Sequence, residues 1–252
     1  MKYTLLVFVF IFLTFAQEDT LTFKVLYNHP ENKIRQFEIK LLNKVVRLYN
    51  SKNHKKLKPQ FVRMDEPNAI WYYLYALSDK SDRELVCGLT SATRYDHPRV
   101  SFSEPFIPIR LVLIGRKGEG VVLDKHRKYK MGHLLTKNTN SKLYKELIDY
   151  NIEHIKVDNY ERFYPMMQTK EIDIYFGDSI DEWIYNDLQI IHYLDEKPTY
   201  MSFVFQKESD LKPLLDSVLS YYTKSSSYYR MLREHFGRDL RHYFTKISTN
   251  KH

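Results

Sequence analysis

The stretch CGLTSATRYDHPRVSFSEPF, residues 87–106 of a 252-residue chain, opens on small and hydroxyl side chains, passes Arg94, and closes on an aromatic-Ser-Glu-Pro turn. Hydroxyls beside a guanidinium suit an anion, because an arginine fork grips a carboxylate with two parallel hydrogen bonds and hydroxyls add further donors. No nucleophile stands beside a base within it. The residues before it, RELVCGL (83–89), read as a strand. Those after it, IPIRLVLIGRK (107–117), form a long β-rich run. The stretch therefore sits at the carboxyl end of one strand and at the mouth of another, which is where ligands collect in open α/β sheets.

Upstream, LTFKVLY (21–27) reads as a buried first strand. Ile34, Phe37, Leu41, Val45 and Leu48 recur at steps of three and four, which predicts an amphipathic helix over 34–49. A polar loop at 55–59, a short strand QFVRM (60–64) and a helical segment over 68–78 lead to the strand at 83–89. This β-α-β-α-β order implies a parallel sheet with crossover helices. A second α/β unit starts at MGHLL (131–135) and continues through a helix over 141–150 and a strand HIKV (154–157). Asp158 with Glu161 forms a capping-box pattern that opens a helix reaching 169. EIDIYFGD (171–178) and YMSFVFQK (200–207) are two more strands, and helices over 210–223 and 227–236 close the chain. The apolar runs at 107–117 and 200–207 are the two that could cross between lobes.

Lys and Arg outnumber Asp and Glu by 39 to 31, a net charge of +8. The bases are scattered, with local runs at 53–58 and 124–130 that read as solvated loops. No nucleic-acid partner is expected, and the basic excess favours anionic ligands or surfaces. The start, MKYTLLVFVFIFLTFAQED, has one lysine, an apolar run from Leu5 to Leu13 and Thr-Phe-Ala, the pattern of a secretory signal peptide cleaved between Ala16 and Gln17. That run is too short to span a hydrocarbon core of about 30 Å. Losing the segment removes Lys2 and leaves +7, on a protein expected in the periplasm or outside the cell. Cys87 is the single cysteine, so no intrachain disulfide and no cysteine-built zinc site can form. The ten histidines show no HxH or HExxH pairing, so a metal is not expected. The glycines of GRKGEG (115–120) have the wrong spacing for a dinucleotide fingerprint, and no cofactor is expected.

The order of these pieces resembles the type II periplasmic binding proteins, in particular the family 3 solute-binding proteins of amino-acid ABC transporters. GLTSATR (88–94) and FSEPF (102–106) stand where that family has a Gly-x-Thr/Ser-x-Thr-x-x-Arg turn and then a Phe-Ser-x-Pro-Phe/Tyr segment entering the first crossing. QTKEIDIYFGD (168–178) is similar to its Gly-x-Val-Asp-Ala-x-x-x-Asp element, YMSFVFQKESDLKPLLDSVL (200–219) to the return crossing and its helix, and YYRMLREHFG (228–237) to its closing helix. The span from Arg94 to Phe102 is longer than the family's, and RQFEIKLL replaces the usual Gly-Phe/Tyr-Asp opening of the first helix.

The resemblance implies a two-lobed α/β fold of two parallel-type mixed sheets flanked by helices and joined by two hinge crossings. Behind a signal peptide at 1–16, residues 17–108 and 205–252 would form lobe one, and 109–204 the hinge strands and lobe two. It implies a ligand site built from Arg94, Thr90, Ser91, Asp178, Thr139 and Tyr27, with Arg94 holding a carboxylate and Asp178 an ammonium group. Four of these residues also have a plainer role open to them. Arg94 could be a surface turn residue with His97 in the arginine's place, Asp178 a helix cap, Thr139 a cap alone, and Tyr27 one of 21 tyrosines. Asp173, inside its strand, would bond the preceding helix, and Trp71 and Cys87 would be packing. The expected function is non-enzymatic: a monomeric periplasmic protein that captures an amino-acid-like solute for an ABC permease. A diverged sensor or interaction subunit, or an enzyme on the same fold, are the alternatives.

Overall fold

The computed structural model describes residues 20–27, 31–64, 83–90, 100–119, 123–134, 147–194 and 198–249. The chain builds two sheets. The first contains β1 (Thr20–Tyr27), β2 (Lys56–Arg63), β3 (Glu84–Thr90), β4 (Val100–Phe102), β5 (Ile107–Ile109) and β11 (Thr199–Gln206). The second contains β6 (Leu111–Arg116), β7 (Lys128–Leu134), β8 (Asn151–Val157), β9 (Ile174–Asp178) and β10 (Leu188–Tyr193). Their orders are β2-β1-β3-β11-β4, with β5 also on β11, and β10-β6-β9-β7-β8. Parallel pairs β1–β2, β1–β3, β7–β8 and β7–β9 form one half of each sheet, and antiparallel strands complete the other.

In the first sheet, Phe23, Val25, Leu85, Cys87, Phe203 and Phe205 point to one face. There they meet α1 (Lys33–Lys52), α4 (Leu211–Tyr222), α5 (Ser226–Phe236) and α6 (Arg241–Thr249). Leu26, Val86, Val100 and Val204 point to the other face, as the two-residue period of a strand requires. The predicted stripe of α1 is its buried face: Phe37, Leu41 and Val45 are fully covered. Its start is fixed by Asn32, whose side chain accepts from the amides of Ile34 and Arg35 at 2.8 and 3.2 Å. Gly237 ends α5 in the left-handed region, φ 75°, where a residue with a Cβ would be strained.

In the second sheet, Val112 and Ile114 face a cluster with Phe163, Met166 and Met167 of α2 (Phe163–Gln168), while Leu113 faces Tyr129, Met131 and Ile174. A Cβ on Gly132 of β7 would come within 2.8 Å of Ile172 Cδ1 and 2.9 Å of Phe163 Cε1. Gly132→Ala is therefore expected to lower stability by about 1–3 kcal/mol, the usual cost of overpacking, read as a reduced urea midpoint.

Several details differ from the sequence reading. The run 107–117 is two strands of different sheets, broken at Arg110, because the chain leaves one lobe and enters the other there. The run 200–207 lies inside the first sheet, and the return passage falls between Tyr193 and Thr199. The expected polar loop at 55–59 is mostly β2, held by Asn50, which bonds both the amide and the carbonyl of Leu57 at 2.7 and 2.9 Å. The basic segment ending at Lys130 includes the start of β7. Asn159, not Asp158, caps the turn at Tyr160–Arg162. β4, β10 and α6 were not anticipated; β4 is three residues long, and β10 has no clean alternation. The signal segment, the proposed helix at 68–78 with Trp71, and most of 141–150 lie outside the described residues.

Candidate functional site

Because β5 and β6 belong to different sheets, the single residue between them, Arg110, marks the first crossing. Its side chain is fully buried, with the guanidinium carbon 4.6 Å from the ring centre of Tyr193 on β10. On either side of that crossing the carboxyl ends of three strands carry three of the six predicted residues. In lobe one, Tyr27 ends β1 and Thr90 ends the neighbouring β3. In lobe two, Asp178 ends β9, directly opposite Leu111, the first residue of β6. The structure thus puts Asp178 beside the crossing, half-buried. The cap position of the following helix, α3 (Asp181–Ile184), is Ile180. Tyr27 is half-buried and meets Phe61 edge-on at 6.4 Å. Arg94, His97, Ser91 and Thr139 lie outside the described residues, as does the side chain of Thr90.

Asp173 bonds no helix. Its two carboxylate oxygens accept from Arg116 of β6 and from the Lys130 amide of β7, each at 2.9 Å, because the residue sits where those strands flank β9. Cys87 is fully buried and free, and burial holds its thiol well above the usual range, so it is packing. Among the described residues no three His, Cys, Asp or Glu side chains gather as a metal site.

A polar cluster behind Asp178 escaped the sequence reading. The Asp178 amide donates to the Tyr160 hydroxyl at 3.1 Å, and that hydroxyl donates to Asp181 Oδ2 at 2.5 Å. Tyr175 donates to the same oxygen at 3.0 Å. Phe163 stacks on Tyr175 at 4.8 Å and takes the edge of Tyr160 at 5.4 Å, so both phenols are held in place by apolar packing. Burial pushes the Asp181 carboxyl up to about 7; the Tyr160 and Tyr175 bonds oppose that rise, and the nearby Asp178 carboxylate reinforces it. Burial, with Asp181 adding to it, also raises both tyrosines well above their ordinary range. The one legible signal was the spacing of Asp178 and Asp181, three residues apart around Ile180, which placed a second acid where a helix begins.

Between this cluster and the start of α1 lies a cavity of about 20 Å³, lined among others by Asn32, Ile34, Tyr160, Asp181 and Tyr185. It has room for a water molecule and no more.

No family model matches the chain, and no curated protein is similar to it in sequence. Solved structures do match in shape. The GluR0 ligand-binding core from Nostoc punctiforme, in complex with L-glutamate, aligns with a TM-score of 0.61 at 13% identity, covering 86% of this chain and 100% of that one. The fold is that of a type II periplasmic binding protein. The amino-acid ABC transporter substrate-binding protein AbpA from Streptococcus pneumoniae, bound to L-arginine, aligns at 0.59 with 13% identity, covering 86% of this chain and 94% of that one. The periplasmic domain of B. pertussis BvgS aligns at 0.61 with 14% identity over 86% of this chain, which spans 43% of that domain's length. The two sheets, joined at Arg110 and again between Tyr193 and Thr199, agree with that two-lobed fold.

Proposed function

We propose that this protein binds a small polar solute, an amino acid or related zwitterion, between its two lobes. The observation that carries the reading is the placement of Asp178: a half-buried carboxylate at the carboxyl end of β9, beside the first crossing, on a fold whose neighbours include proteins solved with arginine and glutamate. A carboxylate there suits an ammonium group. The hydroxyls and guanidinium of the 88–94 stretch, which follows β3, supply the matching donors for a carboxylate. In this reading Thr90, Ser91 and Arg94 form the lobe-one half, Asp178 and Thr139 the lobe-two half, and Tyr27 a stacking face. Residues 17–108 and 205–252 act as lobe one, and 109–204 as the crossings and lobe two.

The protein works in the periplasm or outside the cell after loss of residues 1–16, as a monomer delivering its solute to an ABC permease. It needs no cofactor and performs no chemistry on the solute. The similarity in fold to the BvgS periplasmic domain and the GluR0 ligand-binding core supports a second role for the same site, in which solute binding is sensed instead of passed on.

Native mass spectrometry of the protein purified without denaturation tests the reading. A retained zwitterionic solute is expected, displaceable in calorimetric titration by its own kind. If nothing is retained and no member of a complete amino-acid panel releases or absorbs heat, the zwitterion reading is wrong.

A further inference from the structure

Two crossings alone would leave the lobes free to swing, yet a third element spans them here. Leu240 in the turn after α5, with Tyr243 and Ile247 of helix α6, all fully buried, packs into the core of lobe one. That same core takes in Ile180 and Ile184 from lobe two. The contact is reinforced by polar links at the first crossing. The Tyr243 hydroxyl donates to the Pro108 carbonyl at 2.8 Å, and Ser179 Oγ lies 2.8 Å from the same hydroxyl. Tyr243 has one hydroxyl proton, which Pro108 receives, so Ser179 is the donor between the two. Ser179 Oγ in turn accepts from the Arg110 amide at 2.9 Å, while the Ser179 amide donates to the Arg110 carbonyl at 2.8 Å.

The bonds run from Arg110 through Ser179 and Tyr243 to Pro108, enclosing the residue where the chain changes lobes. Every side chain in this run is buried. Trp183 of lobe two meets the Tyr243 ring edge-on at 5.2 Å, and Lys246 lies 3.8 Å from Glu182. We propose that α6 is a strap that holds the two lobes at one angle, and that the lobes separate only when Tyr243 leaves its seat. A swing at Arg110 would pull Ser179 from Tyr243 and leave the buried Ser179 hydroxyl proton without its acceptor, a cost that an ordinary two-strand hinge does not carry. The inference stands whether or not a solute binds.

The test uses paired spin labels on Lys40→Cys of α1 and Glu171→Cys of lobe two, both exposed, with native Cys87 buried and unreactive. Wild-type background is expected to give one narrow distance distribution. Tyr243→Phe keeps the ring against Trp183 but removes both hydroxyl links; Ser179→Ala removes the link from the other side. Each is expected to broaden the distribution and to speed amide exchange at Arg110 and Ser179 by about tenfold, the scale of one lost buried hydrogen bond. Should Tyr243→Phe not fold, Ser179→Ala decides alone. A broad distribution in the wild-type background, or unchanged distances and exchange in the folded variants, overturns the strap.

Discussion

Raising the pH from about 4 to about 8 is expected to cost the folded protein roughly 4 kcal/mol through Asp181 alone. The group's carboxyl lies at about 7 in the folded chain, against 3.8 for an unperturbed aspartic acid. Between those values the folded protein keeps a proton that the unfolded chain has released. Its stabilising contribution is thus complete below the lower value and is lost as the pH climbs through the upper one. The physical cause is burial: Asp181 is 2% exposed, and its nearest acid, Asp178, repels the ionised form. Among its described neighbours, Tyr160 and Tyr175 donate to it, Tyr185 lies within electrostatic reach, and Lys33 of α1 lines the same small cavity. Asp181→Asn keeps an oxygen for the two phenols and removes the titration.

Urea unfolding of both proteins at pH 4, 5, 6, 7 and 8 should therefore give a stability difference that shifts in the variant's favour as the pH rises. His235 and His154, whose ring pKa values are lowered mainly by burial, act in the opposite direction, since their neutral forms are favoured by folding. They are common to both proteins and cancel in the difference. Two curves that remain parallel would show that Asp181 ionises in the folded state as easily as in the unfolded one.

How much of this was legible in sequence follows from where the physics is local. The α1 stripe could be read because a helix buries residues at steps of three and four, and Phe37, Leu41 and Val45 obey that rule. The alternation in β1 and the apolar run of β9 were equally plain. The break at Arg110 was not. IPIRLVLIGR is apolar on both sides of the arginine, and only the choice of partners divides it, β11 for Ile107–Ile109 and β9 for Leu111–Arg116. Asp173 was misassigned for the same reason, since its donors come from strands more than 40 residues upstream. Helix α6 follows a glycine-closed helix and looks like a charged tail. Leu240 just before it and Tyr243 and Ile247 within it fall at steps of three and four, yet the significance of Tyr243 lies in the other lobe, through Ser179 and Trp183. Nothing in the spacing of Asp178 and Asp181 distinguishes the half-exposed acid from the buried one.

Arg94→Ala is expected to weaken solute binding by about one and a half to three and a half decades. The basis is the loss of a charge-assisted fork sealed from water, worth roughly 2–5 kcal/mol at about 1.4 kcal/mol per decade. In the proposed zwitterion site Arg94 meets the carboxylate and Asp178 the ammonium. Arg94→Lys should fail nearly as badly, because a single ammonium cannot reproduce the planar pair of donors. Asp178→Asn tests the opposite end. It removes the countercharge while leaving the backbone amide that donates to Tyr160, so the Tyr160–Asp181 pair should stay in place and folding should change little. Calorimetric titration of the three variants with the solute that the wild type retains separates the two halves of the site. Loss of binding in Asp178→Asn with normal binding in both Arg94 variants would keep the ammonium contact and discard the fork. In that case His97→Ala becomes the deciding variant, since His97 stands three residues further along the same stretch. If His97→Ala also binds normally, residues 88–106 serve only to lead the chain into the crossing, and the carboxylate must be held from lobe two.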